Sequence, residues 1–414
     1  VREIDAVDWR RISRMNFLLP FLLNQIVAAT PPTVLARADE SPVELPDFSR
    51  VIADALNPGG DSLIVDIGSN GLGIGRRATA DGTGMLLINP HQPWTGISRF
   101  YAFHQTIPGR MNMLGANVIG RPQVAFGTSE HVSWTSTVST APRNSIYMLR
   151  LVPGEPTKYI FDGVPHDMVA ETVTVQVSDG QGGLETRSHT FYSTHFGAFL
   201  MGGAAPWTTQ IAFAIRPTVD EWRGVNALAE LWKVTSVREL KAVHDKYQFS
   251  PANMIAADSL GVTWFADPGP IPNLSDAQRA SCAMGGGALD GSRSDCMWNT
   301  DPDAAAPGIF GPRKLPNLFR TDFVLNSNDS HWLTNPRQPL SGYDSSLGSV
   351  DSARSMRTRA GLTQVLERLS GEDGQAGEGF TLEQLQALMF SNLAYAGKIL
   401  RDDLVTLCGN NPSV

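Results

Sequence analysis

Ser62-Leu63-Ile64-Val65-Asp66-Ile67-Gly68-Ser69-Asn70 is an apolar, partly β-branched run that ends abruptly in Gly, Ser and Asn. Such a run reads as a strand, and the residues after it decide what kind of sheet it joins. From residue 71 to about Tyr192, Gly-rich and apolar segments of strand length alternate, which predicts a sheet-rich core. Helical periodicity returns over 218–249, where Trp222, Leu228, Leu231, Trp232, Val237 and Leu240 fall on roughly one face. A loop-rich region, 268–316, precedes a strand-like Phe323-Val324-Leu325 that runs into Asn326-Ser327-Asn328-Asp329-Ser330. Helices over 352–369 and 381–396 follow, the second opening on Thr381-Leu382-Glu383-Gln384, the capping-box pattern. No closing helix or strand is evident over 408–414. The pattern is that of a layered α+β protein.

Upstream of the decisive run the character differs. Ile12, Phe17, Leu18, Leu22 and Ile26 recur near helical spacing until Pro31-Pro32 stops them. The stretch 16–29 behind Arg10, Arg11 and Arg14 has the outline of a signal peptide, but Glu3, Asp5 and Asp8 precede it, so an ordinary helix is the better reading. Its apolar run, interrupted by Asn24 and Gln25, is also too short to span a bilayer, which argues against a membrane partner. Residues 30–61 carry Pro31, Pro32, Pro42, Pro46 and Pro58 and end in Asn57-Pro58-Gly59-Gly60, a linker with one helical segment over 48–56.

Composition narrows the function. The 414 residues are 42% hydrophobic and 18% charged, with 39 Gly and 27 Pro, which excludes a disordered or collagenous chain. A net charge of -8 without a basic block argues against a nucleic-acid partner. Three cysteines are too few for a disulfide-built fold and lack the paired spacing of a zinc site, so no metal is expected. Cys282 and Cys296 are 14 residues apart in a Gly-rich loop, a workable disulfide spacing in an oxidising compartment that leaves Cys408 over. Gly71-Leu72-Gly73-Ile74-Gly75 invites a dinucleotide-loop reading, but Arg76 stands where the third Gly belongs in one register and Ala78 in the other, and no helix pattern follows. Asp81-Gly82-Thr83-Gly84 reads as a hairpin turn instead, and no cofactor is expected. Of the eight histidines, His91 stands out at a strand end among Pro90, Pro93 and Trp94, a setting that fixes a side chain at a pocket rim.

Several blocks taken in order carry a resemblance: Gly68-Ser69-Asn70, Gly84-Met85-Leu86-Leu87-Ile88-Asn89-Pro90-His91, Pro108-Gly109-Arg110, His131-Val132-Ser133-Trp134-Thr135-Ser136-Thr137-Val138, Leu289-Asp290-Gly291-Ser292, Ala304-Ala305-Ala306-Pro307-Gly308, and Asn326-Ser327-Asn328-Asp329-Ser330-His331-Trp332-Leu333-Thr334-Asn335-Pro336. Together they resemble the penicillin acylase family of N-terminal nucleophile hydrolases, in particular the branch of acyl-homoserine lactone and aculeacin acylases. The resemblance implies a four-layer αββα sandwich with partial flanking helical regions. It implies a precursor in which 1–45 is the end of a small subunit, 46–68 a spacer removed on maturation, and 69–414 the start of a large subunit. The two subunits, with the remainder of each, then form a heterodimer.

Self-cleavage is expected between Gly68 and Ser69. The Ser69 hydroxyl would attack the Gly68 carbonyl, and hydrolysis of the ester would free an α-amine beside the nucleophile. An α-amine with a pKa of ~7.7–8.0 is partly neutral near neutral pH and can accept the hydroxyl proton, so no separate triad is needed. The resemblance gives His91 a supporting role, the Val138 backbone N–H and the Asn328 side chain the oxyanion hole, and Arg359 the arginine near the amino terminus, with Arg357 as the fallback. It places Gln92, Trp94, Val118 and Ile119 at the acyl pocket, with Trp207, Trp222 or Trp232 as further wall residues. Gln92 stands where close relatives often carry an aromatic side chain, implying a wider or more polar entrance.

The expected substrate is a small-molecule acyl amide such as an acyl-homoserine lactone, a lipopeptide or a penicillin, cut in the periplasm or outside the cell. A different class, an unprocessed non-catalytic relative that binds acylated ligands, would keep the Gly68–Ser69 bond. An internal-serine esterase would need a Gly-x-Ser-x-Gly elbow, which Ile67-Gly68-Ser69-Asn70-Gly71 lacks.

Overall fold

A computed structural model describes residues 26–32, 47, 68–92, 94, 99–119, 121, 123–196, 199–202, 205–218 and 221–410. The expected helix upstream of Ile26, the helical segment over 48–56 and the β-like run over 62–67 lie outside the described residues. The chain divides into two compact units, one built on Pro142–Glu221 and Ile271–Phe310, the other on Val65–Ala141, Trp222–Pro270 and Gly311–Val414.

The second unit carries Ser69. Its strands are β1 (Gly68–Ile74), β2 (Met85–His91), β3 (Phe100–Ile107), β4 (Met111–Val118), β5 (Phe126–Thr128), β6 (Val132–Val138), β7 (Ala252–Asp258), β8 (Thr263–Ala266), β9 (Asn317–Arg320) and β10 (Phe323–Asn326). A three-stranded sheet, β10-β1-β2, faces a seven-stranded sheet, β9-β8-β7-β6-β5-β4-β3, and every pairing within both is antiparallel. Strand alternation sorts the side chains into layers. Ile255, Phe265, Leu318 and Val324 fill the space between the sheets. Trp134, Met254, Ala256 and Trp264 point the other way, onto helices α1 (Glu221–Leu231) and α2 (Val237–Tyr247) through Ala227, Leu231, Val237 and Leu240. On the outside of the small sheet, Leu72, Ile74, Leu87 and Leu325 pack against Leu362 and Val365 of α3 (Met356–Ser370) and Leu385 of α4 (Leu382–Met389). This gives the four layers α, β, β, α.

The glycines of β1 explain how closely the sheets approach. A Cβ on Gly71 would lie 3.0 Å from Ile255 Cδ1 and Thr135 Cγ2, and one on Gly73 3.0 Å from the Ala256 carbonyl oxygen. The Gly-x-Gly-x-Gly run is therefore a packing device between sheets, and β1 turns back through 75–84 into β2 as a hairpin.

Three helix expectations need correction. The periodic stretch 218–249 is two helices, because Ser236 caps α2 by accepting from Glu239 N and so starts a new helix. The expected helix over 381–396 ends at Met389, although its capping box is present with both bonds made. The chain end does hold a helix, α5 (Tyr395–Asn410), whose residues over 396–410 are all exposed, so no buried stripe marks it in the sequence.

The first unit centres on a nine-stranded sheet that extends into a long hairpin, Val169–Ser178 with Leu184–Ser193. Tyr147, Leu149, Tyr159, Ala212 and Ala214 form its core, beside the disulfide that joins Cys282 and Cys296 across 5.7 Å between Cα atoms.

Candidate active site

Gly68 and Ser69 open β1, where Gly68 pairs with His91, Ser69 with Pro90 and Asn70 with Asn89 across the hairpin. Alternation puts Ser69 on the same face as Gly71, toward the seven-stranded sheet, and Gly68 and Asn70 on the face toward α3. Ser69 is buried, and its Oγ lies 2.5 Å from the Gly68 carbonyl oxygen, donating to it. The hydroxyl thus sits against the carbonyl that self-cleavage would attack.

Two side chains hold Ser69, one at its N–H and one at its carbonyl. Asn328 Oδ1 accepts the Ser69 N–H at 2.7 Å, which fixes the amide orientation, since a backbone N–H can only donate. Its Nδ2 then donates to the Val138 carbonyl oxygen at 3.1 Å, so Asn328 bridges the nucleophile and the end of β6. Asn328 has φ 73, a left-handed conformation that Asn tolerates better than most residues. Arg357 Nη1 donates to the Ser69 carbonyl oxygen at 2.8 Å and to Asn70 Oδ1 at 3.2 Å. Nothing larger than Gly fits at 68 without movement, because a Cβ would lie 2.9 Å from Asn328 Oδ1 and 3.1 Å from both terminal nitrogens of Arg357.

Arg359, the first choice of the sequence reading, is exposed and turned away. Its guanidinium lies over the Tyr395 ring, 5.5 Å from the centroid. The physical reason is helical phase: two residues along α3 is about 200°, so Arg357 and Arg359 project from nearly opposite sides. The start of α3 is itself fixed to the Asn328 loop. Asp329 Oδ2 accepts from the Ser355 N–H and hydroxyl, each at 2.9 Å, and Ser355 caps the helix by accepting from Thr358 N at 3.2 Å. Burial pushes the Asp329 carboxyl up, but hydrogen bonds from Thr358 and Ser355 outweigh this and hold it below the ordinary carboxylate range.

His91 ends β2 directly opposite Gly68 in the hairpin. Its Nε2 lies 2.9 Å from Asn89 Oδ1 and 3.4 Å from Asn70 Nδ2, and Asn70 Nδ2 donates to Asn89 Oδ1 at 2.8 Å. A polar chain therefore runs Arg357, Asn70, Asn89, His91 along the α3 side of the small sheet, opposite the Ser69 hydroxyl. Asn70 and Asn89 both lie inside the motif blocks that carry the resemblance, which gives neither of them a role.

The residues expected at the acyl pocket differ in exposure. Gln92 and Val118 are half-buried, while Ile119 and Trp94 are exposed, Trp94 at 94%. Trp207 belongs to the first unit, where it packs on Tyr192 and donates to the Pro156 carbonyl oxygen, and Trp232 packs in the helix layer outside the large sheet. The side chain of Trp222 lies outside the described residues. Among the described residues there is no group of three or more His, Cys, Asp or Glu that could hold a metal, and no helix is long and apolar enough to cross a membrane.

Comparison with known proteins agrees with this architecture. The penicillin amidase family profile matches residues 9–413. Aculeacin-A acylase of Actinoplanes utahensis is 45% identical over 432 residues, covering 100% of this chain and 53% of that protein. Acyl-homoserine lactone acylase PvdQ of Pseudomonas putida is 33% identical over 419 residues, covering 99% of this chain and 52% of the relative. The chain spans about half the length of the curated relatives it matches. Among solved structures, a thermostable penicillin G acylase from Alcaligenes faecalis superposes with a TM-score of 0.62 at 17% identity, over 83% of this chain and 56% of that one, a likeness of fold. The chain, with its αββα unit and Ser69 at the head of β1, belongs to the penicillin amidase family.

Proposed function

We propose that this chain is the catalytic part of an acylase that cleaves itself between Gly68 and Ser69 and then deacylates linear amides through an acyl-Ser69 intermediate. The observation that carries the reading is the Ser69 hydroxyl placed 2.5 Å from the Gly68 carbonyl oxygen, with the Ser69 N–H on Asn328 and its carbonyl on Arg357.

In self-cleavage the Ser69 hydroxyl adds to the Gly68 carbonyl carbon and loses its proton. The C–N bond breaks, the nitrogen takes up a proton, and the resulting ester is hydrolysed to a Gly68 carboxylate and a free Ser69 amine. The amine then acts as base for the hydroxyl beside it. In turnover the Ser69 oxygen attacks the substrate amide, negative charge collects on the former carbonyl oxygen, and the Val138 N–H and Asn328 Nδ2 stabilise it. Expulsion of the amine leaves acyl-Ser69, which water hydrolyses.

On this reading 1–45 is small-subunit sequence, 46–68 a spacer and 69–414 large-subunit sequence, the cleaved parts remaining together as a heterodimer. The names of the relatives support an acyl-homoserine lactone or an acylated lipopeptide as substrate, hence roles in quorum quenching or antibiotic deacylation. An apolar acyl pocket discriminates chain length weakly, ~1–3 kcal/mol per methylene, so a range of acyl groups should be accepted. The Cys282–Cys296 disulfide supports a periplasmic or extracellular location. Acid-quenched reaction with p-nitrophenyl octanoate tests the mechanism: the acyl group should be found on the peptide that begins at Ser69, and label elsewhere would overturn it.

A further inference from the structure

Beneath the nucleophile lies a buried polar cluster that the mechanism above leaves without a role. Its centre is Asn326, the last residue of β10, paired in register with Gly71 of β1 and 2% exposed. Asn326 Oδ1 accepts from Thr137 Oγ1 at 2.6 Å, from the Asn328 backbone N–H at 2.9 Å and from Asn253 Nδ2 at 3.3 Å. Its Nδ2 donates to the Asp329 carbonyl oxygen at 2.8 Å. The amide can be placed only one way, because the Asn328 N–H only donates and the Asp329 carbonyl only accepts. Asn253, also buried, reaches the Val138 carbonyl oxygen at 3.4 Å and Thr137 Oγ1 at 3.2 Å.

The two groups assigned to the oxyanion hole come from elements far apart in sequence: Val138 from the end of β6, Asn328 from the turn after β10. One amide touches both supports. It accepts from the residue next to Val138, and it grips the Asn328 turn from both sides, holding a non-glycine residue at φ 73. Electrostatic stabilisation of a transition state depends on donors fixed before reaction, so misplacement of either would lower the rate.

We propose that Asn326 is a positioning residue that sets the geometry of the oxyanion hole, with Thr137 as its tie to the Val138 side. The inference rests on the reading of Val138 and Asn328 as the oxyanion donors. Asn326 itself touches no reacting atom. Its effect should therefore appear in kcat, while KM for an acyl substrate stays nearly constant.

The test uses self-cleaved protein and p-nitrophenyl octanoate, with five forms side by side: the parent, Asn328→Ala, Asn326→Ala, Thr137→Val and Thr137→Ser. Asn326→Ala is expected to lower kcat roughly a hundredfold and Thr137→Val roughly tenfold, both with KM within about twofold, on the scale of losing or misaligning one donor. Thr137→Ser, which keeps the hydroxyl, is expected to retain kcat within about twofold, a rescue that a simple packing role would not give. If Asn326→Ala does not fold, the Thr137 pair decides alone. Parent-like kcat in Thr137→Val, equal losses in the Val and Ser variants, or a change confined to KM overturns the inference. Asn328→Ala separates the two levels: with its kcat lost and the others intact, only the positioning role fails, whereas parent-like kcat in Asn328→Ala removes the oxyanion reading beneath it.

Discussion

Asn328 Oδ1 accepts the Ser69 backbone N–H at 2.7 Å, joining the turn after β10 to the first peptide of β1. The same amide carries Nδ2 to the end of β6, so one residue bridges the first peptide of β1 and Val138, as the proposed oxyanion role requires. Asn328→Ala should lower kcat by ~10²–10³ with a much smaller change in KM. Steady-state kinetics on the cleaved protein checks this, and a loss expressed only in KM would contradict it.

Gly68 is confined by Asn328 and Arg357, whose atoms a Cβ would approach to 2.9 and 3.1 Å. Gly68→Val should slow self-cleavage by roughly tenfold or more, because the added carbons displace the two groups that hold Ser69 at its N–H and its carbonyl. A time course of intact mass during expression follows the conversion. Cleavage at the parent rate would show that this contact does not matter.

Arg357 and Arg359 make a discriminating pair. Arg357 donates to the Ser69 carbonyl, while Arg359 lies over Tyr395. Arg357→Ala is expected to slow both self-cleavage and turnover by roughly tenfold or more, whereas Arg359→Ala should stay within about twofold, as exposed substitutions away from a site usually do. The reverse ranking would restore the arginine chosen from sequence.

His244 supplies a pH dependence unrelated to catalysis. It is fully buried, its ring 4.7 Å from Phe249, and among the described residues neither ring nitrogen has a hydrogen-bond partner. Burial, and secondarily Lys241, pushes its pKa down from 6.5 to about 3. Below pH ~6.5 the unfolded chain therefore binds a proton that the folded chain refuses, and stability falls as pH drops toward the folded value. At pH 5 this amounts to about 2 kcal/mol. His244→Phe should raise Tm at pH 5 relative to the parent more than it does at pH 8. Equal Tm differences at the two values would rule out the titration.

How much of this was legible in the sequence depends on the kind of constraint. The strand-like Phe323-Val324-Leu325 and the capping box at Thr381 are local, and both were readable. The Gly-x-Gly-x-Gly run departs from the dinucleotide register in the sequence itself, but its packing purpose required the partner sheet, since Ile255 and Thr135 lie far away in sequence. The choice between Arg357 and Arg359 depends on the phase of a helix whose start is set by Ser355, and that cap had not been located. Motif position singles out His91, but its contacts with Asn89 and Asn70 depend on the pairing of β1 with β2. Asn326 stood in plain view in Asn326-Ser327-Asn328, but its role rests on Thr137 and Asn253, which only the antiparallel pairing of β6 with β7 brings together.

The most direct test of the central claim is the intact mass of the purified protein beside Ser69→Ala. Two polypeptides in the parent, the larger beginning at Ser69, with a single uncut chain in Ser69→Ala, is the expected result. A folded parent that keeps the Gly68–Ser69 bond would contradict it, since no α-amine would then exist to serve as base, and the chain would instead be an unprocessed relative that binds acylated ligands.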